Sequence, residues 1–343
     1  MKKKSNYKMP LKRKIISVIC ILYITFFSFF LFLFYGPINS FKEFWITSAM
    51  TTMNHQYLAT FIYSDKYIKK VLAKNSIIEI NEISDPNQIH FRKHTSTIYR
   101  NEYEKEILIH EKGALYKLIN ISGDGYQGFL VAVYDPSRIS IATTAYLGVR
   151  GESILTVSKR ENAIIAMNAG GFYDPDWNSN GALPHGTVIS NGKVVSDYTD
   201  AMMSGGFIGF TKDNKFLLGN MSKDEAVSMG YRDAIEFGPY LIVNGKRSFI
   251  RGNGGWGIAP RSAIGQRQDG IVLMVVINGR IASSIGADMV DLCDIMEKYG
   301  AYNAANLDGG SSSELVINNK IINTPVAGGT NGLRDMSTFW IVK

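Results

Sequence analysis

Cysteine and histidine are scarce in this chain, two and five among 343 residues. Two cysteines cannot build a disulfide framework. Cys20 lies in a long apolar run and Cys293 in a stretch whose Met289, Leu292 and Met296 have helical spacing, so Cys293 reads as a core thiol. No His/Cys cluster has zinc spacing. The nucleophile elbow Gly-x-Ser-x-Gly is absent, which removes the usual serine-hydrolase signature. Gly252 to Gly257 is glycine-rich, but no helix is expected after it and Pro260 follows, which excludes a dinucleotide fingerprint. Trp256 in that run can stack on a sugar face or hold the loop. No internal repeat occurs. Basic charge is also missing where it would matter. The net charge of +7 sits in residues 1–14, which hold seven Lys/Arg and no acid, and the remainder balances at 30 against 30. A nucleic-acid partner is therefore not expected.

What is present begins with Ile15 to Tyr35, almost wholly apolar. Its length spans a hydrocarbon core of about 30 Å at about 1.5 Å per residue. The expected organisation is a basic cytoplasmic tail (1–14), a transmembrane signal anchor (15–36), a helical stem and linker (37–105) and one large domain (106–343). The basic flank places the N-terminus inside and the domain outside. A cleaved signal peptide is the rival, but its apolar region would be shorter, and no Ala-x-Ala site follows. In 41–75, Phe44, Met50, Met53, Tyr57, Leu58, Phe61 and Ile62 form an apolar stripe, either a membrane-proximal stem or a helix packed on the domain. Residues 76–105 are polar and read as a linker.

Beyond 106 the chain turns to short β-like runs, among them 107–109, 128–134, 139–143, 163–167, 187–190, 207–210, 215–218, 240–243, 271–277, 314–317 and 338–342. Asn191-Gly192, Asn244-Gly245 and Asn278-Gly279 read as hairpin turns. Helices are expected only near 151–161, 223–230 and 287–299. The fold class is α+β, a mostly antiparallel or mixed sheet with few helices. Trp340 and Ile341 should close the sheet and pack the core.

The densest chemistry lies at 306–313, Asn-Leu-Asp-Gly-Gly-Ser-Ser-Ser. Asp308 can act as base, nucleophile or anchor for sugar hydroxyls. Gly309 and Gly310 allow close approach of a ligand. Ser311, Ser312 and Ser313 add donors. Two further stretches accompany it, Asn168 to Asp174 and Ala259 to Gly265. Asp176-x-Asn178-x-Asn180-Gly181 copies the first half of a calcium loop. The twelfth position is Thr187 and no helix flanks it, so the readings are a weak Ca2+ site or a polar turn over the pocket.

Taken together these motifs resemble the phosphodiester glycosidase family over about 106–343. The family pattern runs Asn-x-Gly-Phe, Gly-Pro-x-Leu with Asn-Gly, Pro-Arg-x-Ala-x-Gly and Leu-Asp-Gly-Gly-x-Ser. Here it meets Asn168, Gly170, Gly171 and Phe172; Gly238, Pro239, Leu241, Asn244 and Gly245; Pro260, Arg261, Ala263 and Gly265; and Leu307 to Ser312. Ala169 and Ser311 stand where relatives often carry glycine. The resemblance implies hydrolysis of a sugar-1-phosphodiester without a cofactor, in a cell-envelope or extracellular polysaccharide. In that chemistry Arg261 takes the leaving phosphate and Asp308 activates water or attacks the anomeric carbon. Glu236 is the candidate second carboxylate and His185 a candidate general acid. Asn168, Gly170, Gly171, Gly309, Gly310, Ser311 and Ser312 bind the substrate. A glycan-binding module and a glycosyl transferase are the alternatives, and the partners expected are a carbohydrate polymer and the bilayer.

Overall fold

The computed structural model describes residues 10–52, 55–91, 98–173, 180–198, 205–326 and 332–343. It divides into two compact units, the first ending at Val71 and the second running from Leu72 to Lys343.

The first unit is helical. Leu11–Tyr35 is a single helix, and among the described residues it is the one long and apolar enough to cross a membrane. Gly36-Pro37 ends it, and helices Asn39–Met50, Tyr57–Thr60 and Asp65–Lys74 follow. Phe34 meets Phe41 and Trp45 edge-on, with ring centroids 5.2 and 4.8 Å apart. Tyr63 donates its hydroxyl to the Phe34 carbonyl at 2.9 Å, and Trp45 Nε1 donates to the Leu58 carbonyl at 2.9 Å. Phe41, Trp45 and Tyr63 thus fold the stem helices against the end of the long helix, whereas Tyr57 and Phe61 of the stripe read from the sequence are exposed.

In the second unit every strand pair described is antiparallel, and the fold is α+β. The largest sheet has seven strands in the spatial order Lys246–Arg247, Tyr240–Val243, Ala301–Asn306, Arg261–Arg267, Val272–Ile277, Tyr126–Val133, Tyr116–Gly123. A five-stranded sheet runs Phe216–Gly219, Gly206–Thr211, Tyr231–Phe237, Gly186–Ser190, Lys193–Tyr198. A second five-stranded sheet runs Lys320–Ile321, Leu315–Ile317, Ile165–Asn168, Thr338–Val342, Ile139–Thr143.

Alternation along the strands explains how these layers stack. Val272, Met274 and Val276 enter the core shared by the three sheets, together with Phe210, Leu315 and Trp340. Leu273, Val275 and Ile277 point the other way, into a second core under the helix Met289–Lys298. The apolar run 271–277 is therefore a strand buried on both faces. Cys293 sits in that second core, and burial pushes its thiol up to about 12. On the last strand Trp340 faces the shared core and Phe339 and Ile341 pack under the helix Ile154–Arg160. This strand does not close its sheet, because Ile139–Thr143 lies outside it.

Three local readings differ from the sequence expectation. Residues 107–109 lie at the end of a helix, Glu102–Leu108. Asn101 caps it by accepting the Glu104 amide at 2.8 Å, and two glutamates in its first turn suit the helix dipole. The described residues of 76–91, expected as part of a linker over 76–105, are bound to the domain. Ser76–Ile78 pairs with Phe249–Arg251, Ser84 exchanges hydrogen bonds with Leu218 at 2.8 Å in both directions, and His90 donates to Gln268. Asn191-Gly192 and Asn244-Gly245 adopt the left-handed backbone of type I′ hairpins. Asn278-Gly279 does not. Asn278 is held by Gln127 and Thr324, Gly279 abuts Pro260, and the left-handed residue is Arg280 at φ 57°.

Strands Arg261–Arg267 and Ala301–Asn306 were not legible. Their polar and small residues are poor strand formers. Each is ladder-paired on both sides, and the buried Gln266 is fully satisfied, donating to Asn214 and Gly270 and accepting from Phe216.

Candidate active site

Antiparallel pairing decides where the motifs meet, because it sets the start of one strand beside the end of its neighbour. Asn306, at the end of its strand, opposes Ala263, near the start of the next. Arg261 opposes Ile277, so the chain leaving that strand carries Arg280 toward Arg261. In the second five-stranded sheet Met167 opposes Leu315, which brings Asn168 beside Glu314, and Phe339 opposes Asn168. The strand ends therefore gather Asn168, Arg261, Asp308, Glu314 and Arg334 at one edge of the two sheets.

Asn168 is the clamp of this arrangement. It is fully buried. Its Nδ2 donates to the Asp308 carbonyl at 2.6 Å, and its Oδ1 accepts the Ser262 hydroxyl at 2.7 Å and the Glu314 amide at 3.3 Å. The Asp308 amide donates to the Ala169 carbonyl at 3.1 Å. One side chain thus ties three strands and fixes the backbone of Asp308.

Asp308 accepts the Gly309 amide at 3.0 Å. Burial raises its pKa to about 6, against the opposing pull of the Ser312 hydroxyl, Arg334, the Gly309 amide and Arg261. Glu314 is wholly buried, accepts the Arg334 amide at 2.8 Å through one oxygen, and its other oxygen has no partner. Burial raises it to about 8, and Asp335 adds to the rise while the Arg334 amide and charge oppose it. Burial thus raises both carboxyls, Glu314 further than Asp308. Glu314 was not singled out in the sequence, where it looks like the first residue of a strand.

Three arginines surround this loop. Arg261 is buried; Nε donates to the Ala287 carbonyl at 3.1 Å, and Nη2 donates to Gly257 at 2.7 Å and to Trp256. Burial lowers its pKa to about 10, an effect that Asp288 and Asp308 oppose and Arg280 reinforces. Its remaining Nη1 faces Gly309, where a methyl group would lie 3.5 Å from it and 3.0 Å from the Pro260 carbonyl. Arg334 donates from Nη1 to the Ser311 hydroxyl at 3.3 Å and lies 4.9 Å over the Phe172 ring. Arg280 lies over Gly310, where a methyl group would be 3.5 Å from Nη2 and 3.7 Å from Nη1. A left-handed backbone at a non-glycine residue costs roughly 1 kcal/mol. No property of the sequence marked Arg280, which reads there as the residue after a hairpin turn.

The remaining candidates fall in two groups. Ser311 and Ser312 belong to the Asp308 loop, Ser312 through its hydrogen bond to the carboxylate. Gly310 has φ 62° and donates to Pro260 at 2.9 Å. Gly170 spends its amide on the Thr338 hydroxyl at 3.1 Å, and Gly171 accepts the His185 amide at 3.0 Å. Glu236 accepts the Thr187 amide within the other five-stranded sheet. The His185 amide thus bonds to Gly171 and Glu236 to the Thr187 amide, through bonds separate from those that hold Asp308. The Trp256 carbonyl and ring both address Arg261, the ring centroid at 6.0 Å, so Trp256 holds the loop. Of the calcium-loop residues, Asp176 and Asn178 lie outside the described residues, and Asn180 donates to the Val149 carbonyl at 3.0 Å.

A family model described as phosphodiester glycosidase matches residues 161–343, more than half of the chain. An uncharacterized SPbeta prophage-derived protein of Bacillus subtilis (strain 168), YomE, is 31% identical over 199 residues, which cover 55% of this chain and 30% of that protein. The chain thus spans less than a third of the length of that curated relative. Among solved structures, the catalytic domain of zebrafish N-acetylglucosamine-1-phosphodiester alpha-N-acetylglucosaminidase, auto-inhibited by its pro-peptide, superposes with a TM-score of 0.54. It is 17% identical, and the match covers 76% of this chain and 99% of that one. At that identity the likeness is one of fold.

Proposed function

We propose, because this chain belongs to the phosphodiester glycosidase family, that it hydrolyses the bond between an anomeric carbon and a phosphodiester in an envelope or extracellular glycopolymer. It does so from the outer side of a membrane in which residues 15–36 anchor it, the basic N-terminus remaining in the cytoplasm. A phosphodiester leaves as an anion, so the reaction needs little protonation of the leaving group. It needs a carboxylate at the anomeric carbon and fixed positive charge for the departing phosphate.

The observation that carries this reading is Asp308. Its carboxylate is desolvated, held by Gly309 and Ser312, and answered by the charges of Arg334 and Arg261. With a pKa of about 6 it is ionised at neutral pH yet basic enough to take a proton from water. The same group can attack the anomeric carbon directly, and either route uses the arginines in the same way. Asn168 acts by fixing the Asp308 backbone, since its own side chain is spent on protein partners.

The test is turnover by the full-length chain in detergent. UDP-N-acetylglucosamine and a panel of teichoic-type sugar phosphodiesters are incubated with it, with and without EDTA, and free sugar is followed by mass spectrometry. Release is expected, and Asp308→Asn should lower it by about 10²–10⁴-fold. Full activity in Asp308→Asn, or no release from any substrate, overturns the reading.

A further inference from the structure

Arg261 and Arg280 flank the Gly309-Gly310 pair, one guanidinium facing each glycine. Their charges are close enough that Arg280 disfavours the charged form of Arg261. Arg261 is answered by Asp288, Asp308 and three backbone carbonyls. Arg280 has no such answer. Among the described residues no carboxylate forms a salt bridge with it and no acceptor takes a hydrogen bond from its guanidinium, while desolvation lowers its pKa. Arg280 is itself exposed, so this desolvation is only partial.

The backbone holds Arg280 in this position. Its amide donates to Ile285 at 3.1 Å, Ile281 and Ser284 exchange amide bonds at 3.0 Å, and the buried Ser284 hydroxyl donates to the Asn278 carbonyl at 2.7 Å. The Gln127 amide donates to that same hydroxyl at 3.0 Å. A built loop therefore presents a partly desolvated, unneutralised guanidinium beside another cation and over a glycine that leaves its face open. Such a group is stabilised by an anion, and a planar fork suits two oxygens of a phosphate.

We propose that Arg280 grips the substrate phosphate directly, through Nη1 and Nη2 on the Gly310 side of the loop, and that Arg261 serves behind it as a fixed cation whose other donors are spent on the protein. This deepens the function proposed above, which supplies the identity of the anion; the presence of an anion site does not depend on it.

The experiment measures both separately. Inorganic phosphate is titrated into the full-length chain in detergent at fixed ionic strength and followed by calorimetry, for the native chain, Arg280→Gln and Arg280→Lys. Phosphate binding is expected in the native chain, at least tenfold weaker in Arg280→Gln and intermediate in Arg280→Lys, which keeps the charge and loses the fork. In turnover, Arg280→Gln should lower kcat/KM by about 10²-fold, with the loss larger for phosphodiester substrates than for a sugar on a neutral phenol leaving group. Equal phosphate binding by the native chain and Arg280→Gln, or no phosphate binding by the native chain, overturns the assignment. Phosphate binding that depends on Arg280 in a chain that hydrolyses no phosphodiester upholds the anion site and overturns the hydrolase.

Discussion

Replacing Glu314 with glutamine should stabilise the protein, and the size of the gain should depend on pH. Glu314 is wholly buried and its carboxyl is raised from 4.5 to about 8. The sign follows from linkage. A carboxyl raised in the folded state contributes its full stability below its unfolded pKa, and that contribution is lost as pH rises through the folded pKa. At pH 7 the unfolded chain carries an ionised Glu314, and folding must protonate it. From 4.5 to 7 at about 1.4 kcal/mol per pH unit, that uptake costs on the order of 3 kcal/mol. Glutamine keeps the oxygen that accepts the Arg334 amide. It also puts a second polar group where the protonated acid already lacks a partner, so the two folded states are matched and only the ionisation cost disappears. Urea unfolding of the full chain in detergent, followed by tryptophan fluorescence from pH 4 to pH 8, measures the gap. It should be close to zero at pH 4 and near 3 kcal/mol at pH 7, equivalent to a rise in Tm of roughly 6–12 °C for a domain of this size. A gap that does not change with pH, or a variant less stable than the native chain at pH 7, refutes the reasoning.

Activity of the native chain should rise with pH through about 6 as Asp308 ionises, and a kcat/KM profile that is flat from pH 5 to pH 8 would exclude it as the working base. Asn168→Ala should cost about 2–4 kcal/mol and depress kcat, because it leaves the Glu314 amide and the Asp308 carbonyl without their buried partner; urea unfolding and turnover on the same preparation check it, and a variant of native stability refutes the clamp. Glu104 is desolvated, yet the hydrogen bonds from Arg100 and the charges of Arg100 and Arg267 hold its carboxyl down to about 2. Its contribution is present above its ordinary pKa and is lost as pH falls through 2. Glu104→Gln should therefore cost on the order of 1–2 kcal/mol at pH 7, allowing for the exposed Arg100 partner, and the cost should shrink toward pH 2; a pH-independent loss in thermal unfolding would refute it.

Whatever could be read from short-range pattern was legible in the sequence. The apolar run became the helix Leu11–Tyr35. The alternating or two-sided apolar runs became strands, and the helices at 154–160, 223–228 and 289–298 fell where caps and spacing put them. The motif around Asp308 marked the candidate site, and Gly310 in it takes the left-handed backbone that favours glycine. Asn278-Gly279 misled for the same reason in reverse: the pair has strong local hairpin chemistry, but Gly279 is pressed against Pro260 and the turn passes its left-handed residue to Arg280.

The roles within the site were decided by tertiary structure alone. Asn168 looked like a ligand for sugar, and burial made it a clamp. Arg261 looked like the free cation, and three carbonyls took most of its donors. Glu314 and Arg280 carried no signal, because desolvation and the lack of a partner are properties of surroundings that lie far away in sequence. Composition and periodicity fix which residues are apolar, which turn and which can do chemistry. Which of them meet, and which remain unsatisfied when they do, depends on the register of strands as far apart in sequence as Ile139 and Val342, and no local pattern encodes that.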